Sequence, residues 1–152
     1  MPETKNVLED MGQRDMTLLY RLRFWSLTLL RLFLGVVFAY HGALRLFVPA
    51  NLSGSIAYFT QVGIPYAPFH VYLFGIIELA GGALLFLGLF TRWSAFIVML
   101  EMFFVLFKVH LKNGFLVGNN GYEFVLILIF ALLFVLVNGP GRLSLGKLFK
   151  EE

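Results

Sequence analysis

The sequence predicts an all-α integral membrane protein: a bundle of four transmembrane helices with a short interfacial helix between the first two. The 152-residue chain is 59% hydrophobic and 14% charged, whereas soluble domains have about 45–50% apolar and about 25% charged residues. The apolar residues form four blocks, each close to the length that crosses a bilayer. The blocks are continuously apolar and do not alternate with polar residues, which excludes a closed β-barrel and favours helices.

The four blocks define the predicted transmembrane helices, at about residues 24–48, 69–90, 93–111 and 122–138. A helix needs about 20 residues to cross about 30 Å of hydrocarbon, so the last block is close to the lower limit. Only Thr91 and Arg92 separate the second and third blocks, which predicts a tight antiparallel hairpin. We expect residues 1–15 to form a cytoplasmic segment, 16–141 the transmembrane domain and 142–152 a cytoplasmic tail.

The connection between the first two blocks is about twenty residues long and uncharged. Ser53 could cap a short helix there, and Gly63 and Pro65 would end it. Apolar residues such as Ile56 and Phe59 would share one face of this helix, which is typical of a helix lying on the membrane surface. The alternative is an ordinary loop.

Basic residues predict the orientation in the membrane. One predicted side carries eight of them: Lys5, Arg14, Arg21, Arg23, Arg92, Arg142, Lys147 and Lys150. The other side carries one, Lys112. Because Lys and Arg near helix ends stay in the cytoplasm, both termini are expected to be cytoplasmic.

Composition also limits the chemistry of this chain. It has no cysteine, so disulfides, thiolate-bound clusters and cysteine-ligated zinc are excluded. The net charge of +3 is modest, and the basic residues flank apolar blocks. They therefore indicate topology, and no nucleic-acid partner and no metal site are expected.

Each ionisable residue inside a predicted helix costs roughly 2.5–3.5 kcal/mol to insert into the membrane, so its presence there requires a structural or functional explanation. Glu78 lies nine residues into the second block, near the membrane midplane. His41 and Arg45 share one helix face in the outer third of the first block. At 100° per residue, Glu101 and Lys108 fall on one face of the third block, and His110 lies half a turn away from Glu101.

Two interpretations of these residues remain open. In one, they form an outward-opening polar pocket, with His41 and Glu78 as candidate catalytic residues. The candidate ligand-binding residues of that pocket are Arg45, Glu101, Lys108, His110 and Glu123. In the other, ion pairs such as Glu78 with Arg45 or Lys108 only fasten the helices together.

The order of several short motifs resembles the DoxX family over about residues 31–145. The first helix has Arg31-x3-Gly35-x2-Phe38-x2-His41-Gly42-x2-Arg45-Leu46, and the following loop has Tyr58-Phe59-x3-Gly63-Ile64-Pro65. The most specific stretch is Gly75-x2-Glu78-x2-Gly81-Gly82-x2-Leu85-x2-Gly88-x2-Thr91-Arg92. His110-x3-Gly114-Phe115 and Glu123-Phe124 resemble the last two helices. Arg45 stands where the family often has lysine, which preserves the charge.

The resemblance implies a bacterial inner-membrane protein whose neighbours are the lipid bilayer and either partner subunits or further copies of itself. It implies a subunit of a quinone-linked oxidoreductase or of an oxidative-stress complex, with quinone as a possible ligand. The alternative function is a non-catalytic assembly or scaffold subunit, so the sequence does not decide whether the chain is an enzyme. A weaker alternative is a haem-binding subunit with His41 and His110 as axial ligands.

Overall fold

The structure is a computed structural model that describes residues 2–148, with side chains described for 16–20 and 22–147. The main helices are α1 (Pro2–Phe47), α2 (Pro49–Gln61), α3 (Ala67–Leu87), α4 (Thr91–Val105) and α5 (Glu123–Asn138). α4 continues into a π-helical turn, Leu106–His110, and then a 3₁₀ turn, Leu111–Asn113. Two further 3₁₀ turns are Val117–Asn119 and Gly146–Leu148, and the described range has no strand.

The predicted all-α bundle is confirmed. Three of its helical segments are long and apolar enough to cross a membrane: Met16–Phe47, Ala67–Leu87 and Thr91–Asn113. The fourth, α5, is apolar but has only 16 residues. At 1.5 Å per residue it reaches roughly 24 Å, so a bilayer around it would have to thin slightly.

Two helices begin earlier than the sequence predicted. α1 begins at Pro2, so the backbone of the predicted N-terminal segment, residues 2–15, is helical and continuous with the first long helix. α2 begins at Pro49, and the prediction that Ser53 caps it is wrong. Proline at the first helical position has its φ already set for the helix, whereas Ser53 lies inside and donates to the Ala50 carbonyl at 3.2 Å.

Glycines let α1 and α3 pack with their backbones in close approach. A Cβ on Gly42 would lie 2.3 Å from the backbone nitrogen of Leu79, and one on Gly82 would lie 2.3 Å from that of Ala39. Ala39 of α1 meets Gly82 of α3, and the later residue Gly42 meets the earlier residue Leu79. The two helices are therefore antiparallel. Small residues at this interface give the van der Waals contact that holds helices together in lipid.

Arg31 ties the predicted cytoplasmic end of the bundle together. Its side chain is 1% exposed and donates to the carbonyls of Leu85, Phe86 and Leu143. The first two carbonyls belong to the last turn of α3, where a cation also offsets the negative end of the helix dipole. A buried guanidinium is therefore stabilised by backbone acceptors at this position.

The chain after α5 folds back onto the same end. Ser144 Oγ donates to the Gly88 carbonyl at 2.7 Å, and the amide of Leu145 donates to the Leu87 carbonyl at 3.1 Å. The amide of Arg142 donates to Thr28 Oγ1 at 2.8 Å. The first residues of the predicted tail are thus bonded to α1 and to the end of α3.

Candidate functional site

A cavity of about 180 Å³ lies between α1, α3, α4 and α5, in the half of the bundle nearer to α2. Its walls are mostly apolar, and four polar side chains interrupt them. The lining residues are Val37, Phe38, His41, Arg45, Glu78, Met102, Val105, His110, Phe124, Val125 and Leu128. An apolar pocket with a few convergent polar groups is typical of a small-molecule site.

Arg45 forms the centre of an ion-pair cluster beside this cavity. Its Nη2 lies 3.2 Å from Glu78 Oε1, and its Nη1 lies 4.0 Å from Glu101 Oε1. Both carboxylates are buried, with Glu78 4% and Glu101 3% exposed. The cluster therefore places two acidic groups against one guanidinium and joins α1, α3 and α4.

The cluster leaves hydrogen-bonding capacity unused. Arg45 Nη1, Glu78 Oε2 and both carboxylate oxygens of Glu101 are buried without a hydrogen-bond partner. Buried polar groups in proteins are nearly always bonded, so unpartnered ones indicate a ligand, a proton or water that completes the site. Arg45 and Glu78 line the cavity, whereas Glu101 lies behind Arg45 and does not.

His110 enters the cavity from the π-helical turn that ends α4. Its Nδ1 lies 2.7 Å from the carbonyl oxygen of Asn120, and Asn113 Nδ2 donates to the same oxygen at 3.0 Å. Asn120 in turn donates through Nδ2 to the hydroxyl of Tyr58 on α2, at 2.7 Å. The loop before α5 is thereby fastened to both α2 and His110.

The cavity lies at the seam between α1 and α5. α1 packs extensively on α3 and much less on α5. His41 on α1 and Phe124 on α5 both line the cavity and are both exposed on the surface of the bundle. The cavity therefore opens sideways, toward the space that lipid would occupy.

Comparison with known proteins decides the family. The DoxX family model matches residues 26–111, more than half of the chain. The chain belongs to the DoxX family. The matched region contains the whole ion-pair cluster as well as His41 and His110, so the site lies largely inside the DoxX domain.

Three curated relatives match this DoxX protein over 66–88% of its length. An uncharacterized membrane protein of Mycobacterium tuberculosis is 33% identical over 80% of this chain and 80% of its own. An uncharacterized protein of Haemophilus influenzae is 33% identical over 88% of this chain and 98% of its own. CatD of Bacillus subtilis, whose name provisionally describes an oxidoreductase, is 34% identical over 66% of this chain and 70% of its own. No solved structure matches.

The structure brings together most, but not all, of the residues that the sequence proposed for this DoxX site. His41, Arg45, Glu78 and His110 line the cavity, and Glu101 contacts Arg45. Glu123 lies apart and accepts a hydrogen bond from the Val117 amide at 2.6 Å, so it fastens the loop before α5. Lys108 is exposed and lines no part of the cavity.

The helical-wheel argument for α4 was wrong after Val105. It placed Lys108 on the face of Glu101 and His110 on the opposite face. The π-helical turn Leu106–His110 has i→i+5 hydrogen bonds and more residues per turn, so the positions after it shift around the axis. As a result His110 shares the cavity with Arg45, and Lys108 turns outward.

Sequence reasoning missed Asn120 and Tyr58, which set the position of His110. A usable signal was present in the run Asn119-Asn120-Gly121, which is typical of a tight turn. Asn120 has a left-handed backbone with φ of 58°, a conformation that asparagine adopts more readily than most residues. That turn points its carbonyl at the imidazole.

Proposed function

We propose that this DoxX protein is the quinone-binding membrane subunit of an oxidoreductase assembly. The observation that carries the proposal is the 180 Å³ cavity, in which apolar walls surround Arg45, Glu78 and two histidines. Its sideways opening suits a ligand that arrives from the lipid phase. The oxidoreductase name of the relative CatD agrees with a redox role.

The residues present fit a quinone head group. A flat, largely apolar ring matches the walls, and its oxygens need hydrogen-bonding partners. Arg45 lines the cavity, and its guanidinium is a hydrogen-bond donor of the kind that a ring oxygen requires. A bound quinone would supply the uptake and release of two electrons and two protons.

The chain's own polar residues have separate proposed roles. Glu78 and His110 can accept protons or hydrogen bonds inside the cavity, and His41 lies at its opening, where its ring can form a hydrogen bond with an entering ligand. Glu101 holds the Arg45 guanidinium from the other side. The seam between α1 and α5 leaves an apolar path along which a prenyl tail could extend into lipid.

The proposal assigns electron transfer to a partner chain. This chain has no cysteine, which excludes thiolate-bound clusters and disulfide exchange as sources of electrons within it. Haem suits the cavity less well than quinone. Both histidines line the space, but about 180 Å³ is small for a porphyrin ring.

The experiment is a binding titration of the purified protein in lipid nanodiscs with duroquinone and with its reduced form, durohydroquinone. Leu128→Trp would fill the cavity, because Leu128 lines it. We expect this variant to weaken binding of the tighter form by about tenfold or more.

The matched control is Ile127→Trp, the same change one residue earlier on α5. Ile127 is 63% exposed and lies outside the cavity lining, so binding should be unchanged. If neither form binds the wild-type protein, or if Leu128→Trp binds as the wild type does, the proposed function is wrong.

A further inference from the structure

Two acidic side chains share one cation in the interior of the bundle. Arg45 Nη2 lies 3.2 Å from Glu78 Oε1, and its Nη1 lies 4.0 Å from Glu101 Oε1. Among the residues that the structure describes, no other lysine or arginine lies within ion-pair distance of either acid. If both acids were ionised, the cluster would have one negative charge in excess, which is costly inside a membrane.

The two acids also contact each other. The carboxyl groups of Glu78 and Glu101 lie within hydrogen-bonding distance. The oxygens of an ionised carboxylate only accept, so two carboxylates cannot form this bond. It forms when one of the groups is a carboxylic acid, whose O–H donates to the other. Adjacent carboxyl groups hold one proton between them in this way, because like charges at short distance do not both ionise.

The unpartnered oxygens of the cluster indicate the same hydrogen. With both acids ionised, Glu78 Oε2 and both carboxyl oxygens of Glu101 are buried and have no hydrogen-bond partner. Buried oxygens in proteins are nearly always bonded. A single hydrogen between the two acids gives a partner to one oxygen of each, and it requires neither a ligand nor water.

The geometry favours Glu101 as the acid that carries the hydrogen. Its side chain is fully buried, and its distance to the guanidinium is the longer of the two. Glu78 lies closer to Arg45 and lines the cavity. Burial disfavours an ionised carboxylate and a nearby cation stabilises it, so the negative charge belongs on Glu78.

We infer that Glu101 is a buried proton-binding site, in which a carboxylic acid donates a hydrogen bond to the Glu78 carboxylate. It holds this proton at pH 8, where carboxyl groups in water are ionised. Arg45 then balances the one remaining negative charge, and the three side chains form a neutral network between α1, α3 and α4. The inference goes beyond the proposed function, because it concerns the protein without any ligand.

The other titratable and charged groups around the cluster leave this charge balance unchanged. His41 and His110 line the same cavity, but an imidazole is neutral at pH 8. Arg31 on α1 is bonded to carbonyls at the far end of α3, and Lys108 is exposed and lies outside the cavity lining. α5 contributes only apolar residues to the cavity wall, and α2 has no charged residue.

The test is an infrared spectrum of the purified protein at pH 8, without added ligand and in a detergent that has no carbonyl group. A carboxylic acid has a C=O stretching band that an ionised carboxylate lacks. Incorporation of ¹³C-labelled glutamate shifts this band and so assigns it to glutamate. We expect the wild-type protein to show one protonated glutamate per molecule.

Three matched glutamine variants assign the hydrogen. Glu101→Gln should lose the band and keep the melting temperature, because the amide replaces the O–H as donor to Glu78. Glu78→Gln should also lose the band, since Glu101 then becomes the counter-ion of Arg45 and gives up its hydrogen. The control is Glu123→Gln. Glu123 accepts from the Val117 amide, away from the cluster, so the band should remain.

The spectra decide the inference without a quinone. Absence of the band from the wild-type protein would overturn it, and so would a band that persists in Glu101→Gln or in Glu78→Gln. Loss of the band in Glu123→Gln would place the hydrogen on Glu123 and also overturn it. If Glu101→Gln does not fold, the wild-type and Glu78→Gln spectra still decide. Failure of this test leaves the proposed function in place, and failure of quinone binding leaves the proton site in place.

Discussion

Arg45 is the residue on which the balance of charge in the cavity depends. It is the cation that pairs with Glu78 and faces Glu101. Removing it would leave two buried carboxyl groups without a compensating charge, and breaking a buried pair from one side typically costs about 3–5 kcal/mol. We therefore expect Arg45→Met to lower the free energy of unfolding by this order, measured by thermal or denaturant unfolding in detergent.

The stability effect and the ligand effect of this cluster can be separated. Replacing Arg45, Glu78 and Glu101 together by Met, Leu and Leu removes every charge of this cluster, and such replacements are often neutral or stabilising. We expect the triple variant to recover stability and to bind neither quinone nor hydroquinone. Lys108→Met, a loss of charge at an exposed site, is the control and should change stability by less than about 0.5 kcal/mol. A stable triple variant that still binds would contradict the assigned role.

For single residues, the sequence alone could predict the position of some site residues but not of others. Glu78 could be placed, because it lies in an uninterrupted α-helix where depth and facing follow from 1.5 Å and 100° per residue. His110 and Lys108 could not, because the spacing of apolar residues does not signal the π-helical turn in which these positions lie. The bond between His110 and Asn120 depends on a left-handed residue in a loop, which residue periodicity does not report.

Among the elements, the α1–α3 pair is the rigid wall of the site. Glycines on both helices bring the backbones so close that added side-chain atoms would collide with backbone, which cannot move aside cheaply. This contact fixes the distance between Arg45 on α1 and Glu78 on α3. In the sequence, Gly75, Gly81 and Gly82 surround Glu78 in the most specific DoxX-like stretch, but the helix that packs against them became known only from the structure.

We expect Gly82→Ala to destabilise the bundle. A Cβ there would lie 2.3 Å from the Ala39 nitrogen, so the helices must separate, and overpacking of this kind costs about 1–3 kcal/mol. The control is Gly54→Ala in α2, where a Cβ would meet nothing within 4 Å. Both changes gain similar helix propensity, so the difference in melting temperature isolates the packing. Equal melting temperatures for the two variants would mean that α1 and α3 are not packed so closely.

For the whole molecule, the two ends of the bundle differ in chemistry. One end carries the turn that joins α3 to α4 and the chain after α5, with Arg92 and Arg142 close to it. The other carries α2 and the loop before α5, linked by the bond between Tyr58 and Asn120. Basic residues concentrate at the first end, so we expect that end to be cytoplasmic and the cavity to lie in the outer half of the membrane.

This orientation is open to a direct measurement, because the chain has no cysteine of its own. We expect single cysteines at Ser53 and Asn119, both exposed, to react with a membrane-impermeant thiol reagent in intact cells. A cysteine at Leu145, also exposed, should react only after the membrane is opened. Leu145 is chosen because its replacement leaves the number of basic residues unchanged.

The three positions test the fold and the orientation separately. Ser53 lies in the same helix, α2, as Tyr58, and Asn119 directly precedes Asn120. Because Tyr58 and Asn120 are hydrogen-bonded to each other, the two cysteines must report the same side of the membrane. Leu145 is bonded to Leu87, at the end of α3, so it must report the opposite side. Reversed labelling at all three sites would agree with the bundle but show the opposite orientation, with the cavity nearer to the cytoplasm. Different labelling of Ser53 and Asn119 would contradict the bundle, because no orientation of this structure places them on opposite sides.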